Sequence, residues 1–314
     1  MDTIPKDRIL ESKPDALSVI RKQYNLDKPG QMKEAVSILR DWVQQQEHFK
    51  KKDFSTHYYE TSIITCKGSI ERAKSQLDKI CTMRTLLPQF FGDYNVKADF
   101  ESLNELVYLF PLPKLTDDYY RVVIAKYFDI SKIKSSQFMH YYRKNIILGE
   151  YLKAHDYLAG FILILDFSES NIMDLVTNVN PVELKEALSI LIQGYGMRIK
   201  GIYIISESKV VISFVAILKQ ILSAKVANRI NVLKSVEKIH EYIPKEILPR
   251  DYGGEERCSK GLRNEWLDAL SSEEHMKYMR EMNAASTDET FRRKDSFNEH
   301  YAGMSGTFRV LRVD

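Results

Sequence analysis

The residues best suited to chemistry in this 314-residue chain are two carboxylates and four cations. Asp166 and Glu207 follow two apolar runs, GFILILDF (160–167) and RIKGIYII (198–205), that read as strands. The carboxyl ends of strands are where α/β sheets place their sites, and two carboxylates there can work as acid and base. Each also suits a structural role, capping a neighbouring helix or turn. Nothing else joins them. The seven histidines (His48, His57, His140, His155, His240, His275, His300) show no HExxH or other metal spacing, and no serine sits in a G-x-S-x-G turn. Neither GxGxxG nor GxxxxGK[ST] occurs, and with only 13 glycines a phosphate-cradling loop is not expected. Cys66, Cys81 and Cys258 are far apart and odd in number, which suggests reduced thiols rather than a disulfide frame or a zinc site.

The cations form two pairs. Arg198 and Lys200 are two apart on a strand and so point to one side, while Lys225 and Arg229 are four apart near the end of a helix and share a face. Four cations so placed suit a multiply charged phosphate. The second pair would also stabilise a helix C-terminus by roughly 0.3–1 kcal/mol with no ligand at all. The overall balance, 46 basic against 43 acidic residues, is too even for a dedicated nucleic-acid binder.

Between these pairs lies VVISFVAIL (210–218), apolar almost all round. Val211, Phe214, Leu218 and Leu222 make one ridge, while Val210, Val215 and Ile217 leave a second apolar surface. Periodicity admits two readings: a crossover helix buried on every side, or a lid with one face over a cavity and the other free to meet a membrane.

The elements that position these residues follow from pattern. Residues 33–46 place Val36, Leu39, Trp42 and Val43 on one helical face, and Ser69 caps a second helix with Ile70, Ala73, Leu77 and Ile80 in register. After Tyr119, strand signals at 121–127, 160–167 and 198–205 alternate with helical segments at 136–153, 181–193 and 208–230. Such alternation predicts βαβ crossovers and a parallel sheet. A short strand at 231–233 and a helix ending before Pro244 follow. Beyond Glu255 the chain is charged and weakly periodic, and reads as an outer tail ending in a strand, Thr307 to Val313. No stretch reaches the roughly 18 apolar residues of a spanning helix, and the N-terminus lacks an apolar run of signal-peptide length.

Four segments, ERAKSQLDKICTMRTLLPQFF (71–91), RIKGIYIISES (198–208), LPRDYGGEE (248–256) and GMSGTFRVLRVD (303–314), together resemble the CRAL-TRIO family. The likeness covers nearly the whole chain and points to the branch of alpha-tocopherol transfer and cellular retinaldehyde-binding proteins and their insect relatives. It implies an α/β fold in three parts: a helical N-terminal domain (1–97), an α/β lipid-binding domain with a mostly parallel sheet (98–255), and a charged tail (256–314). It implies a mobile gate after Ser208, with Val211, Phe214, Leu218 and Leu222 facing a hydrophobic ligand. Phe161, Leu165, Ile190, Leu191 and Ile199 match further cavity positions. Arg198, Lys200, Lys225 and Arg229 match the four basic positions that hold a phosphatidylinositol bisphosphate headgroup.

The chain departs from the family pattern in three places. SIITC (62–66) replaces an arginine-rich segment of the helical domain, leaving Lys67 as the adjacent cation. Ser206 and Ser208 stand where asparagine and proline usually open the gate, although Ser208 can serve as an N-cap. Tyr141, Tyr142 and Arg143 do not reproduce the tocopherol-contacting pattern, so tocopherol is not carried over. The expected protein is a cytoplasmic, transiently membrane-associated monomer without cofactor, metal or nucleic-acid partner. It would carry a tocopherol-, retinoid-, carotenoid- or phospholipid-like molecule and dock on phosphoinositides. A phosphoinositide-binding adaptor without cargo would instead have an empty or polar cavity. An enzyme would need Asp166 and Glu207 to converge inside the pocket.

Overall fold

A computed structural model describes residues 3–133 and 135–292. The expected terminal strand from Thr307 to Val313 lies outside those residues. The first helices are α1 (Ala16–Lys22), α2 (Gln31–Gln45), α3 (Thr56–Thr65) and α4 (Ile70–Leu86). In α2 the apolar stripe buries Met32, Ala35, Val36, Leu39 and Val43. Ser69 caps α4, its hydroxyl accepting from the Arg72 amide, and Pro88 ends the helical run in a 3-10 turn. Two short helices, α5 (Val96–Asp99) and α6 (Glu101–Leu106), lead into the sheet.

Among the described residues one five-stranded sheet forms, in the order β1 (Val107–Leu115), β2 (Tyr120–Tyr127), β3 (Gly160–Asp166), β4 (Ile199–Ile205), β5 (Ile230–Leu233). Strands β2 to β5 are parallel, whereas β1 pairs antiparallel with β2. The crossovers carry α7 (Ser135–His155), then α8 (Ile172–Asn178) with α9 (Pro181–Ser189), then α10 (Val211–Ile221) with α11 (Ala224–Ala227). Strand β1 was not anticipated, because Pro111 and Pro113 interrupt its pattern and confine it to an edge. Its register slips between Pro111 and Leu115. The carbonyls freed there are recovered: Arg121 donates to those of Leu112 and Pro113, and the Trp266 indole donates to that of Pro111 at 2.9 Å.

The charged segment after Glu255, weakly periodic in sequence, is helical over much of its described part. It forms α12 (Ser259–Leu270) and α13 (Glu273–Asn283), which bury Leu262, Trp266 and Met279 against β1 and α7. The helix anticipated before Pro244 is a 3-10 segment, Val236–Glu241. Two buried ion pairs fix α7 in place: Arg84 of α4 meets Glu150 at 2.7 Å, and Arg121 of β2 grips Asp156 with two hydrogen bonds of 2.7 and 2.8 Å.

Candidate functional site

A cavity of about 150 Å³ lies between one face of the sheet and α7, α9 and α10. Strand alternation supplies its floor: Val107 and Leu109, then Val123, Ala125 and Tyr127, then Leu163 and Leu165 recur at every second position. Helix α7 supplies one wall at helical spacing through Phe138, Tyr141, Asn145, Leu148 and Leu152. Tyr127, Tyr141 and Asn145 pair among themselves, whereas the buried Tyr142 hydroxyl has no hydrogen-bond partner among the described residues. The Tyr127 and Tyr141 hydroxyls are 2.6 Å apart, and the Asn145 amide donates to the Tyr141 carbonyl at 2.8 Å. Burial pushes both phenols up, so they stay neutral. No charged side chain is found in the lining among the described residues. Such a space excludes water and holds apolar matter.

Of the expected ligand-facing residues, Leu165, Leu191, Ile199, Phe214, Leu218 and Leu222 line this cavity. Phe161 instead lines a smaller neighbouring cavity. Ile190 and Val211 are buried in the core but pack outside the lining. Ile190 opens a π-helical turn, Ile190–Gly194, whose extra residue rotates the following side chains relative to a regular helix. That turn brings Leu191 and Ile192 to the wall.

Helix α10 is covered on one face only. Phe214 and Leu218 are buried over the cavity, with the Phe214 ring edge-on to Phe167 at 5.6 Å, while Ile212 is 70% exposed. The reading of a helix buried on every side therefore fails. Ser208 is not the N-cap: Val210 takes that position without a side-chain cap, and the Ser208 hydroxyl accepts from the Val210 amide at 3.3 Å in the preceding turn. The helix also ends earlier than its pattern suggests, since Leu222 is extended (φ −81°, ψ 150°) and α11 is a separate turn. Lys225 lies on that turn and Arg229 beyond it, so the two do not share one helical face.

The inference that Arg198 and Lys200 share a side through strand alternation also needs correction. The β3–β4 register passes from Phe161–Ile199 to Ile162–Gly201, leaving Lys200 as an extra residue. Lys200 lies over the Tyr120 ring at 5.3 Å, and Arg198 stacks on Tyr24 of the helical region at 5.4 Å while donating to its hydroxyl. Gly160 allows this crossing, because a Cβ there would meet the Arg198 carbonyl oxygen at 2.5 Å. Arg229 donates to the Ile199 carbonyl, which holds it beside the same strand end.

Tertiary structure adds two cations from the helical region. Arg198, Lys67 and Arg72 line an open cleft that shares Ile192 and Met197 with the apolar cavity. Lys67 sits at left-handed φ (59°) in the α3–α4 turn. Its ammonium is held below the usual lysine range, first by Lys225, then by Arg198, with slight burial, Arg72 and Arg229 adding. Like charges brought close together disfavour one another's protonated forms, which is the cause of that depression. No carboxylate among the described residues pairs with any of them.

Asp166 and Glu207 do not come together in the cavity. Asp166 is fully buried, accepting from the Tyr252 hydroxyl and from the Ser168 amide at 2.9 Å, whereas Glu207 is exposed.

Residues 107–254 match the CRAL/TRIO domain model, and residues 28–100 match that of a Pinta-like UBA domain. This chain carries a CRAL/TRIO domain. Over 96 residues it is 30% identical to an alpha-tocopherol transfer protein-like protein of Mus musculus and 29% identical to the human one. Each match covers 30% of this chain and 28% of the relative, so the chain aligns with under a third of those proteins' length. The crystal structure of Sfh5 superposes with a TM-score of 0.48 at 10% identity, covering 87% of this chain and 98% of that one. Among the described residues of this CRAL-TRIO chain, no helix is long and apolar enough to cross a membrane.

Proposed function

We propose that this CRAL-TRIO protein encloses one hydrophobic lipid-like molecule under α10 and exchanges it at phosphoinositide-bearing membranes. The observation that carries the reading is the neutral, apolar cavity roofed by Phe214 and Leu218. An adaptor without cargo has no use for such a space, which favours the carrier. A gate is required on physical grounds. A lipid with about 20 buried methylene equivalents would cost up to roughly 16 kcal/mol to release into water, so exchange must proceed membrane to membrane.

The trigger in this reading is Arg198, Lys200, Lys225 and Arg229, with Lys67 and Arg72 extending the field. Clustered cations free of carboxylate partners suit the phosphates of a phosphatidylinositol bisphosphate headgroup. Docking there places the exposed Ile212 against the bilayer while α10 moves aside. In this reading the protein works as a monomer in the cytoplasm and needs no cofactor. The decisive experiment is native mass spectrometry of the purified protein with extraction and identification of its lipid. One hydrophobic molecule per chain is expected; a chain that is empty, and stays empty after incubation with mixed-lipid vesicles, would reverse the conclusion in favour of the adaptor.

A further inference from the structure

Beside the apolar cavity lies a second, smaller one of about 30 Å³, walled by Thr61, Leu152, Lys153, Phe161, Tyr195 and Met197. Gly149, Leu152 and Met197 belong to both, so the two spaces adjoin across these three residues. The smaller one differs in chemistry. Lys153, the residue after Leu152 on α7, is only 7% exposed, and its ammonium has no hydrogen-bond partner among the described residues. It lies over the Tyr58 ring at 5.3 Å and interacts electrostatically with the Cys66 thiol and Glu150. The nearby acids are committed elsewhere: Glu150 to Arg84 at 2.7 Å and to the Tyr278 hydroxyl at 3.0 Å, and Asp156 to Arg121.

A buried ammonium without a carboxylate partner is costly, and the fold does not relieve that cost by itself. Burial lowers the Lys153 amine to about 8, so at neutral pH it still carries its proton for most of the time. Asp156 also lines the cavity, but both its carboxylate oxygens are taken by Arg121, so what Lys153 lacks is one compact anion of its own. The cavity's volume admits about two water-sized groups, which fits the two oxygens of a carboxylate and excludes a phosphoinositol.

We propose that the small cavity is the head-group subsite of the enclosed lipid, and that the preferred ligand is a long-chain carboxylic acid. Its carboxylate pairs with Lys153 and its tail enters the apolar cavity, which widens beyond its closed volume of about 150 Å³ to take the whole chain. This assignment rests on the carrier reading and narrows it to a ligand class. It is separate from the cation cluster on the outer cleft, which faces the membrane.

The test compares palmitic acid, hexadecanol and methyl palmitate on the full-length protein, each displacing a fluorescent apolar reporter. The acid should bind about tenfold or more tightly than the alcohol and the ester. Lys153→Met should abolish that preference, bringing the acid down to the affinity of the ester. Equal affinities for the three on the unaltered protein would overturn the head-group assignment and leave the carrier intact. A preference for the acid that survives in Lys153→Met would overturn the role of Lys153. Failure of all three to displace the reporter would overturn both readings. Should Lys153→Met fail to fold, the comparison on the unaltered protein decides alone.

Discussion

Truncating Phe214 is the sharpest probe of the gate. Its side chain is 6% exposed, lines the cavity and packs edge-on against Phe167 at 5.6 Å. Replacement by alanine removes roughly 1.5–3 kcal/mol of burial and part of the roughly 0.5–1.5 kcal/mol of the aromatic pair. If α10 swings out as a unit, those contacts exist only in the closed state, and the loss falls on the closed-to-open equilibrium. At about 1.4 kcal/mol per decade, even the lower part of the range raises the open population roughly tenfold or more. The rate of ligand transfer should rise in proportion. Ile212→Ala is the matched control, because that side chain is 70% exposed and its loss leaves the closed state nearly unchanged. The assay preloads the protein with a fluorescent polyene lipid and follows its release to acceptor vesicles by stopped flow, with urea unfolding run in parallel. A Phe214→Ala protein that unfolds like the unaltered one, yet releases ligand within about twofold of its rate, would refute a gate built on this helix.

Two further outcomes follow from charge. Reversing Arg198, Lys200, Lys225 and Arg229 to glutamate should abolish the stimulation of transfer by phosphatidylinositol bisphosphate vesicles and spare ligand loading; unchanged stimulation would remove these residues from the docking site. His57 and His275 are each pushed down to about 4, first by burial, from an ordinary 6.5. Between those values the unfolded chain binds protons that the folded chain refuses. Their contribution is therefore complete above pH 6.5 and lost as the pH falls towards 4, by roughly 3 kcal/mol each. His275→Phe should flatten the fall in urea stability between pH 7 and pH 5 relative to the unaltered protein, and a pH-independent difference between the two would show that His275 is not responsible.

Much of the architecture was written locally. GFILILDF fits a strand covered on both faces, and Gly160–Asp166 is a strand buried on one face and half-buried at Leu163 and Leu165, which line the cavity; the ridge of Val211, Phe214 and Leu218 is buried as its spacing required. Ser69 was legible as a cap because its hydroxyl serves an amide three residues away. Strand β1 was hidden by its two prolines, whose carbonyls are satisfied by Arg121 and Trp266, and the latter lies 155 residues further on. The C-terminal helices were hidden because much of their surface is charged, and the apolar face they bury fits β1, which had itself gone unrecognised.

The site divides along the same line. Residue types and spacing by themselves determined that neither glycine-rich nucleotide motif is present in the sequence, that α10 has too much apolar surface to stand alone, and that cations flank it. Periodicity states which surfaces must be covered, not what covers them. Only the tertiary structure decided that α10 is covered on one face and not on the other, because a helix packed on a sheet over a cavity exposes its reverse side to solvent. Only it showed Lys67 and Arg72 beside Lys225 and Arg198, since electrostatic fields add through space without regard to distance along the chain. It also decided that Lys153, one lysine among many in the sequence, is enclosed with no acid paired to it among the described residues.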